Sequence, residues 1–267
     1  MHATLFLSRW LFAATLIALG ITGFVNGDFA LVWQQVPPDL PGRTLLAHVC
    51  AAIELLTGAG LLWSRTTTPA SRLLFPFMVL WVALLQIPHV IQSPLDTSAW
   101  GGIGEIGIML AGTWCLFAMH AGTRETRHAG FVVGPSGIRA ARWLLVLTLP
   151  MIGTEVIVDA VNMGNGVMQP WLQTLPWPMA WACLTGAASI ATSLALLFGI
   201  WPRFAATMEA AMIAAIGIVY WGPDLYTGRT ATTAFIITIL IAASTWVVAE
   251  SYRGTRWFAT GQPVWKM

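Results

Sequence analysis

The sequence predicts an all-α, polytopic membrane helix bundle with eight transmembrane helices, arranged as two parallel four-helix repeats. Three observations predict it. Of 267 residues, 57% are apolar and only 9% are charged, whereas soluble domains carry about 25% charged residues. Eight apolar stretches approach the roughly 20 residues that a helix needs to cross a bilayer. The basic residues also fall on alternate connecting segments. Net charge is +2 with no basic run, which excludes nucleic acid as a partner class.

Taken in order, the first span covers 8–27. It has no clear cleavage site and is expected to be retained rather than removed as a signal peptide. The loop from Asp28 to Arg43 holds Pro37, Pro38 and Pro41. Proline fixes the backbone, so this loop is expected to be stiff and to lie along the outer surface. The second span, 44–63, carries His48 and Glu54 within an apolar stretch, followed by Thr57-Gly58-Ala59-Gly60. An ionisable group at mid-bilayer costs roughly 2.5–3.5 kcal/mol on insertion scales. Small residues let another helix come close. This span is therefore expected inside the bundle.

The third span, 73–92, contains Pro76 and Pro88 and ends near His89. The fourth, 101–120, places Glu105 in its first turns. The segment Gly122 to Arg142 is polar and reads as a linker. In the fifth span, 143–163, Glu155 and Asp159 are four apart, and Asn162 continues their face. Carboxylates so stacked repel unless a cation or a proton intervenes. The sixth span, 180–200, is rich in small residues from Gly186 to Gly199 and has no ionisable group. The seventh, 204–221, has Glu209 near its inner end, where it is expected to snorkel or pair with Arg203. Arg229 precedes the eighth span, 231–250, and is expected within reach of Glu155 and Asp159. Cys50, Cys115 and Cys183 all fall in apolar spans without a C-x-x-C pair, so they read as packing residues. Trp10, Trp33, Trp63, Trp100, Trp143, Trp171, Trp201 and Trp221 stand near span ends, as an interfacial aromatic belt requires.

Of 13 basic residues, 11 fall on the segments of one side: Arg9, Arg65, Arg72, Arg124, Arg127, Arg139, Arg142, Arg203, Arg253, Arg256 and Lys266. Only Arg43 and Arg229 fall on the other. The positive-inside rule then puts both termini in the cytoplasm, as in a bacterial-type inner membrane, with Asp28, Asp39, Asp96 and Asp224 outside. The halves also resemble each other. Arg9-Trp10-Leu11 recurs as Arg142-Trp143-Leu144, and Trp33-Gln34-Gln35-Val36-Pro37-Pro38 as Trp171-Leu172-Gln173-Thr174-Leu175-Pro176. Trp63-Ser64-Arg65 recurs as Trp201-Pro202-Arg203. Four spans per half make the repeats parallel. The units are 1–121 and 143–267, joined by 122–142.

The order of a Pro-containing outer loop (Val36-Pro37-Pro38-Asp39-Leu40-Pro41), a small-residue helix with an internal acid (Ala52 to Leu62 around Glu54) and an Arg-containing turn (Arg65, Pro69-Ala70-Ser71-Arg72) resembles the DoxX-like membrane proteins. Gln86-Ile87-Pro88-His89 and Trp100 to Glu105 look like their third and fourth helices. The resemblance implies two four-helix units in tandem, and a redox-linked membrane subunit beside other membrane or periplasmic partners. The second unit departs from the pattern, with Thr192 where Glu54 stands.

The residues leave several chemistries open. His48, Glu54, His89 and Glu105 suggest a polar pocket in the outer half of the first unit. Such a pocket suits a quinone head, which needs a proton-exchanging group within reach of lipid. Two histidines on neighbouring helices also suit haem iron, and with Glu105 a non-haem metal. The same groups can simply fix helix packing in an accessory or structural subunit. Transport of a small solute or proton-coupled transport is the remaining class: parallel repeats and the acids Glu155 and Asp159 favour it. Against it, no Gly/Pro-broken pair of helices stands at matching places in the two halves: Pro76 and Pro88 can kink the third span, but the seventh lacks a proline until Pro223. No C-x-x-C-H, Walker A or Rossmann motif occurs.

Overall fold

Hydrocarbon offers a backbone no hydrogen-bond partners, so each apolar stretch must satisfy its own as a helix. The computed structural model describes residues 3–30, 33, 34, 36–121, 130–162, 176–261, 263 and 264. Among these residues eight helices are long and apolar enough to cross a membrane, and there is no strand. They are α1 (Ala3–Asn26), α2 (Arg43–Leu62), α3 (Thr67–Gln92), α4 (Thr97–His120), α5 (Gly134–Asn162), α6 (Pro178–Phe198), α7 (Pro202–Trp221) and α8 (Arg229–Glu250).

Several helices begin earlier than their apolar stretches. Asp96 caps α4 by accepting from the Ser98 N–H at 3.0 Å, the usual role of a short acidic residue before a helix. Much of the expected linker, from Gly134 to Arg142, is the first part of α5, while 122–129 lie outside the described residues. Arg142 is buried there: its guanidinium donates to Ser251 at the end of α8 and lies 3.9 Å from the Tyr252 ring centre. The carbonyls at a helix C-terminus favour a cation, so this polar residue extends the helix instead of ending it.

The helices pack in a ring, each on the next, and α8 closes it on α1. Helices α4 and α8 also pack on each other across the middle, where Gly112 rests on Ser244. They divide the bundle into two lobes. The first holds α1, α2 and α3; the second holds α5, α6 and α7; α4 and α8 wall both. The packing repeats every four helices. As α1 packs on α2 and α8, so α5 packs on α6 and α4. Gly20 and Gly153, each eleven residues beyond its repeat-related arginine, make the close approach in each case. A methyl group on Gly20 would meet the Ala51 carbonyl at 2.7 Å, and one on Gly153 would meet the Gly186 carbonyl at 2.5 Å.

A π turn occupies Val82–Gln86 in α3 and Gly217–Trp221 in α7. A proline follows each by two residues, Pro88 after Gln86 and Pro223 after Trp221, where its missing N–H and its ring disturb the regular ladder. Neither helix is broken there; each runs on continuously with one irregular turn.

The loop between α1 and α2 is corrected in part. Residues 37–42, with the three prolines, are exposed as expected, but Phe29, Trp33 and Gln34 before them enter the first lobe. Trp33 is 1% exposed and packs edge-on against Phe77 and Trp81, with Phe29 against Trp81. Gln34, 2% exposed, donates to Glu54 at 3.0 Å. Glu54 is eleven residues into α2, about 16 Å below its start at 1.5 Å per residue. Non-helical backbone at such depth is tolerated only where protein surrounds it, and here the aromatic side chains do so. Trp33 thus leaves the aromatic belt. Trp10, Trp63, Trp100 and Trp201 keep the exposure that a belt requires, and Trp171 lies outside the described residues.

Both ends of this loop are clasped by Asp28. Its carboxylate meets Arg43 at 2.8 Å and Arg229 at 3.1 Å and accepts from the Phe29 N–H. Arg229 also takes the Phe29 carbonyl, and Arg43 those of Val36 and Pro37. Arg229 is therefore occupied with Asp28 rather than with Glu155 and Asp159. Burial alone raises the Asp28 carboxyl, but the Phe29 N–H, Arg229 and Arg43 outweigh it and hold it below the usual value. A lowered carboxylate contributes its stability in full above its unfolded value, near pH 4, and loses it as pH falls through the folded value. Asp28→Asn is expected to cost about 1 kcal/mol at pH 7 and almost nothing at pH 2. Thermal unfolding of both proteins at the two pH values checks this, and an equal gap at both would contradict it.

Candidate functional site

The second lobe contains a cavity of about 160 Å³, lined from α4, α5, α6, α7 and α8. Glu105 comes from α4 and Glu209 from α7; Thr185, Ser189 and Thr238 add hydroxyls, and Trp221 of the π turn adds a ring. The remaining wall is aliphatic, including Ile152 and Met212. A few polar groups in an apolar concavity are the usual make-up of a small-molecule site.

The two carboxyls approach the cavity from opposite ends of the bundle. Glu105 lies eight residues into α4, about 12 Å from the face opposite the chain ends. Glu209 lies seven residues into α7, about 10 Å from the face of the chain ends. Glu209 is 2% exposed and meets two hydroxyls of α6: Ser189 donates at 2.6 Å and Thr192 at 3.0 Å. It neither snorkels nor pairs with Arg203, whose guanidinium lies over Trp257. The reason is its direction. It faces inward across the α6–α7 contact, where a stripe of hydroxyls meets it.

Above Glu105 the acids continue. Glu155 lies against Gly101 of α4, at a point where any side chain on residue 101 would overlap its carboxyl. Glu105, Asp159 and Asp96 all lie within electrostatic reach of Glu155. Asp159 is three residues from the end of α5, and Asp96 caps α4. A run of carboxyls therefore leads from the face opposite the chain ends through Glu155 to Glu105 and the cavity, with Glu209 beyond.

The proposed four-residue pocket of the first unit is not assembled. His48 donates from Nδ1 to the Thr44 carbonyl at 2.7 Å and lies against Phe24 of α1. His89 is exposed near the end of α3. Glu54 is enclosed in the first lobe with Gln34, while Glu105 lines the second. Spacing along separate helices set their depths but not their directions around each axis. Among the described residues no three His, Cys, Asp or Glu side chains are grouped to hold a metal ion.

The second unit has not lost the acid of the first. Aligning Trp63 with Trp201 sets Thr192 against Glu54, and the same alignment sets Ser71 against Glu209. Each lobe thus has one buried carboxyl and one small hydroxyl residue across its second and third helices, with the two exchanged. Reading both helices of the pair together would have shown it. Comparison with protein-family models, with curated proteins and with solved structures returns no match for this chain.

Proposed function

We propose that this integral membrane protein moves protons, coupled to a small solute, through its second lobe. The observation that carries the reading is the cavity with Glu105 toward one face and Glu209 toward the other. Chains of acids inside a membrane bundle are the usual form of a proton relay. Protons enter by way of Asp159 and Glu155, reach Glu105, cross the cavity with its solute, and leave through Glu209. Ser189 and Thr192 hold Glu209 in place for this. Parallel repeats support the transport class, and π turns, frequent at functional sites, occupy corresponding parts of α3 and α7. The excess of arginine on the chain-end face supports cytoplasmic termini in a bacterial-type inner membrane.

A redox-linked subunit is the second reading, and cavity size favours it. A cavity near 150 Å³ holds a benzene-sized ring, so a quinone head is of the right order for this one. Carboxyls at both ends would supply the protons that its reduction takes up. This keeps the resemblance to tandem DoxX-like units beside partner subunits, but moves the site to the second lobe, where Glu105 of the first unit meets residues of the second. An accessory, structural role gains nothing specific from the cavity.

Proton flux into liposomes, followed with an enclosed pH dye under an imposed gradient, tests the proposal. Wild-type protein is expected to carry flux, and Glu105→Gln to lower it at least about tenfold. Flux no greater than that of empty liposomes, with a range of small acids and neutral solutes added, contradicts transport. Quinone retained in lipid extracts of the purified protein, and lost in Glu105→Gln, would favour the redox reading instead.

A further inference from the structure

The tail after α8 folds back on the start of α7. The Trp201 N–H donates to the Ala259 carbonyl at 2.8 Å. Phe258 sits edge-on to Trp201 at 5.5 Å and against Phe204 at 5.3 Å. The Arg203 guanidinium lies 4.2 Å from the Trp257 ring centre. This contact sets the tail, which carries Arg253 and Arg256, against Arg203 of α7. Glu250 pairs with Arg253, which leaves two positive charges uncompensated among the groups named here. Arg203 and Arg253 lie within electrostatic reach of each other. Like charges held this close favour an anion beside their accessible faces.

The surroundings say which anion. The cluster stands at the level where α6 ends, α7 begins and α8 ends. In a membrane protein that is the headgroup layer of the chain-end face. Phe198, Ile200, Trp201, Trp257 and Phe258 beside it are 43–63% exposed. Exposed aromatic and aliphatic side chains next to a basic cluster suit acyl chains below and a phosphate above. A soluble anion would use the arginines but not this apolar skirt. We infer that Arg203, Arg253 and Arg256, with the Trp201–Trp257–Phe258 surface, form a binding site for the headgroup of an anionic phospholipid. Bound there, the lipid ties the tail to α7 and so to the second lobe.

Native mass spectrometry of the full chain, from nanodiscs of phosphatidylcholine with one part in five phosphatidylglycerol, tests this. Wild-type protein is expected to retain phosphatidylglycerol in preference to phosphatidylcholine. Arg203→Gln is expected to weaken that retention about tenfold, and Arg256→Gln to weaken it less. Arg256 is exposed, so its variant decides the matter should Arg203→Gln fold poorly. Arg43→Gln, on the opposite face, is expected to retain the lipid as wild type does. Equal retention by wild type, Arg203→Gln and Arg256→Gln overturns the inference. So does complete displacement of the lipid by millimolar inorganic phosphate, which would mark a site for a free anion.

Discussion

Replacing Trp33 by alanine is expected to destabilise the protein by about 3–5 kcal/mol, the range for deleting a buried large aromatic side chain. Trp33 is 1% exposed and fills the first lobe between Phe77 and Trp81. Its indole N–H has no partner among the described residues, so losing it leaves no acceptor unsatisfied and the cost comes from lost packing. The lobe cannot close on the gap, because α1 and α2 already meet at Gly20 and Ala51. Trp33 also holds its neighbour. With it gone, Gln34 is freer to leave Glu54, and a buried carboxyl without its donor costs more. The measurement is equilibrium unfolding in detergent of Trp33→Ala beside Trp10→Ala. Trp10 is 49% exposed, and its loss is expected to cost under about 1 kcal/mol. Equal, small losses would show that the loop does not enter the lobe.

The contrast between these two tryptophans marks what can be read from this sequence. The spans follow from apolar length, and all eight recur among the described helices. Length, however, does not tell a surface loop from one that enters the bundle. Trp33 stands between proline-rich residues and a span end, where a belt residue would stand. Only Phe29, Phe77 and Trp81 distinguish it, and they come together through packing of α1 and α3 with the loop. The repeat was legible because Arg9 and Arg142, or Trp63 and Trp201, recur as identical residues. The π turns are less legible: their segments, Val82–Gln86 and Gly217–Trp221, share no residues, and only Pro88 and Pro223, each two residues beyond, correspond.

The acids show the same limit. Their depth follows from counting residues along a helix, and Glu105 and Glu155 do belong to one region. Their direction depends on how each helix turns toward its neighbours. Glu54 and Glu209 sit at similar depth from the same face, eight residues from the end of α2 and seven from the start of α7. One is enclosed with Gln34, and the other borders the cavity. Sequence reading favoured Glu54 because it lies within a family-like motif. Glu209 stands out less in the sequence, because Arg203 six residues before it offers a simple partner.

That pair of acids supplies the most direct measurement. Proton flux in liposomes is to be compared for wild type, Glu209→Gln and Glu54→Gln, each reconstituted at equal density and checked for equal thermal unfolding. Glutamine keeps the shape and hydrogen bonding of the side chain but cannot exchange a proton. The account predicts that Glu209→Gln lowers flux about a hundredfold, within the range for losing a positioned proton-transfer group. It predicts that Glu54→Gln stays within about twofold of wild type, since the first lobe is closed by Trp33 and Gln34. The opposite ranking, or equal flux in all three proteins, would contradict a proton path through the second lobe.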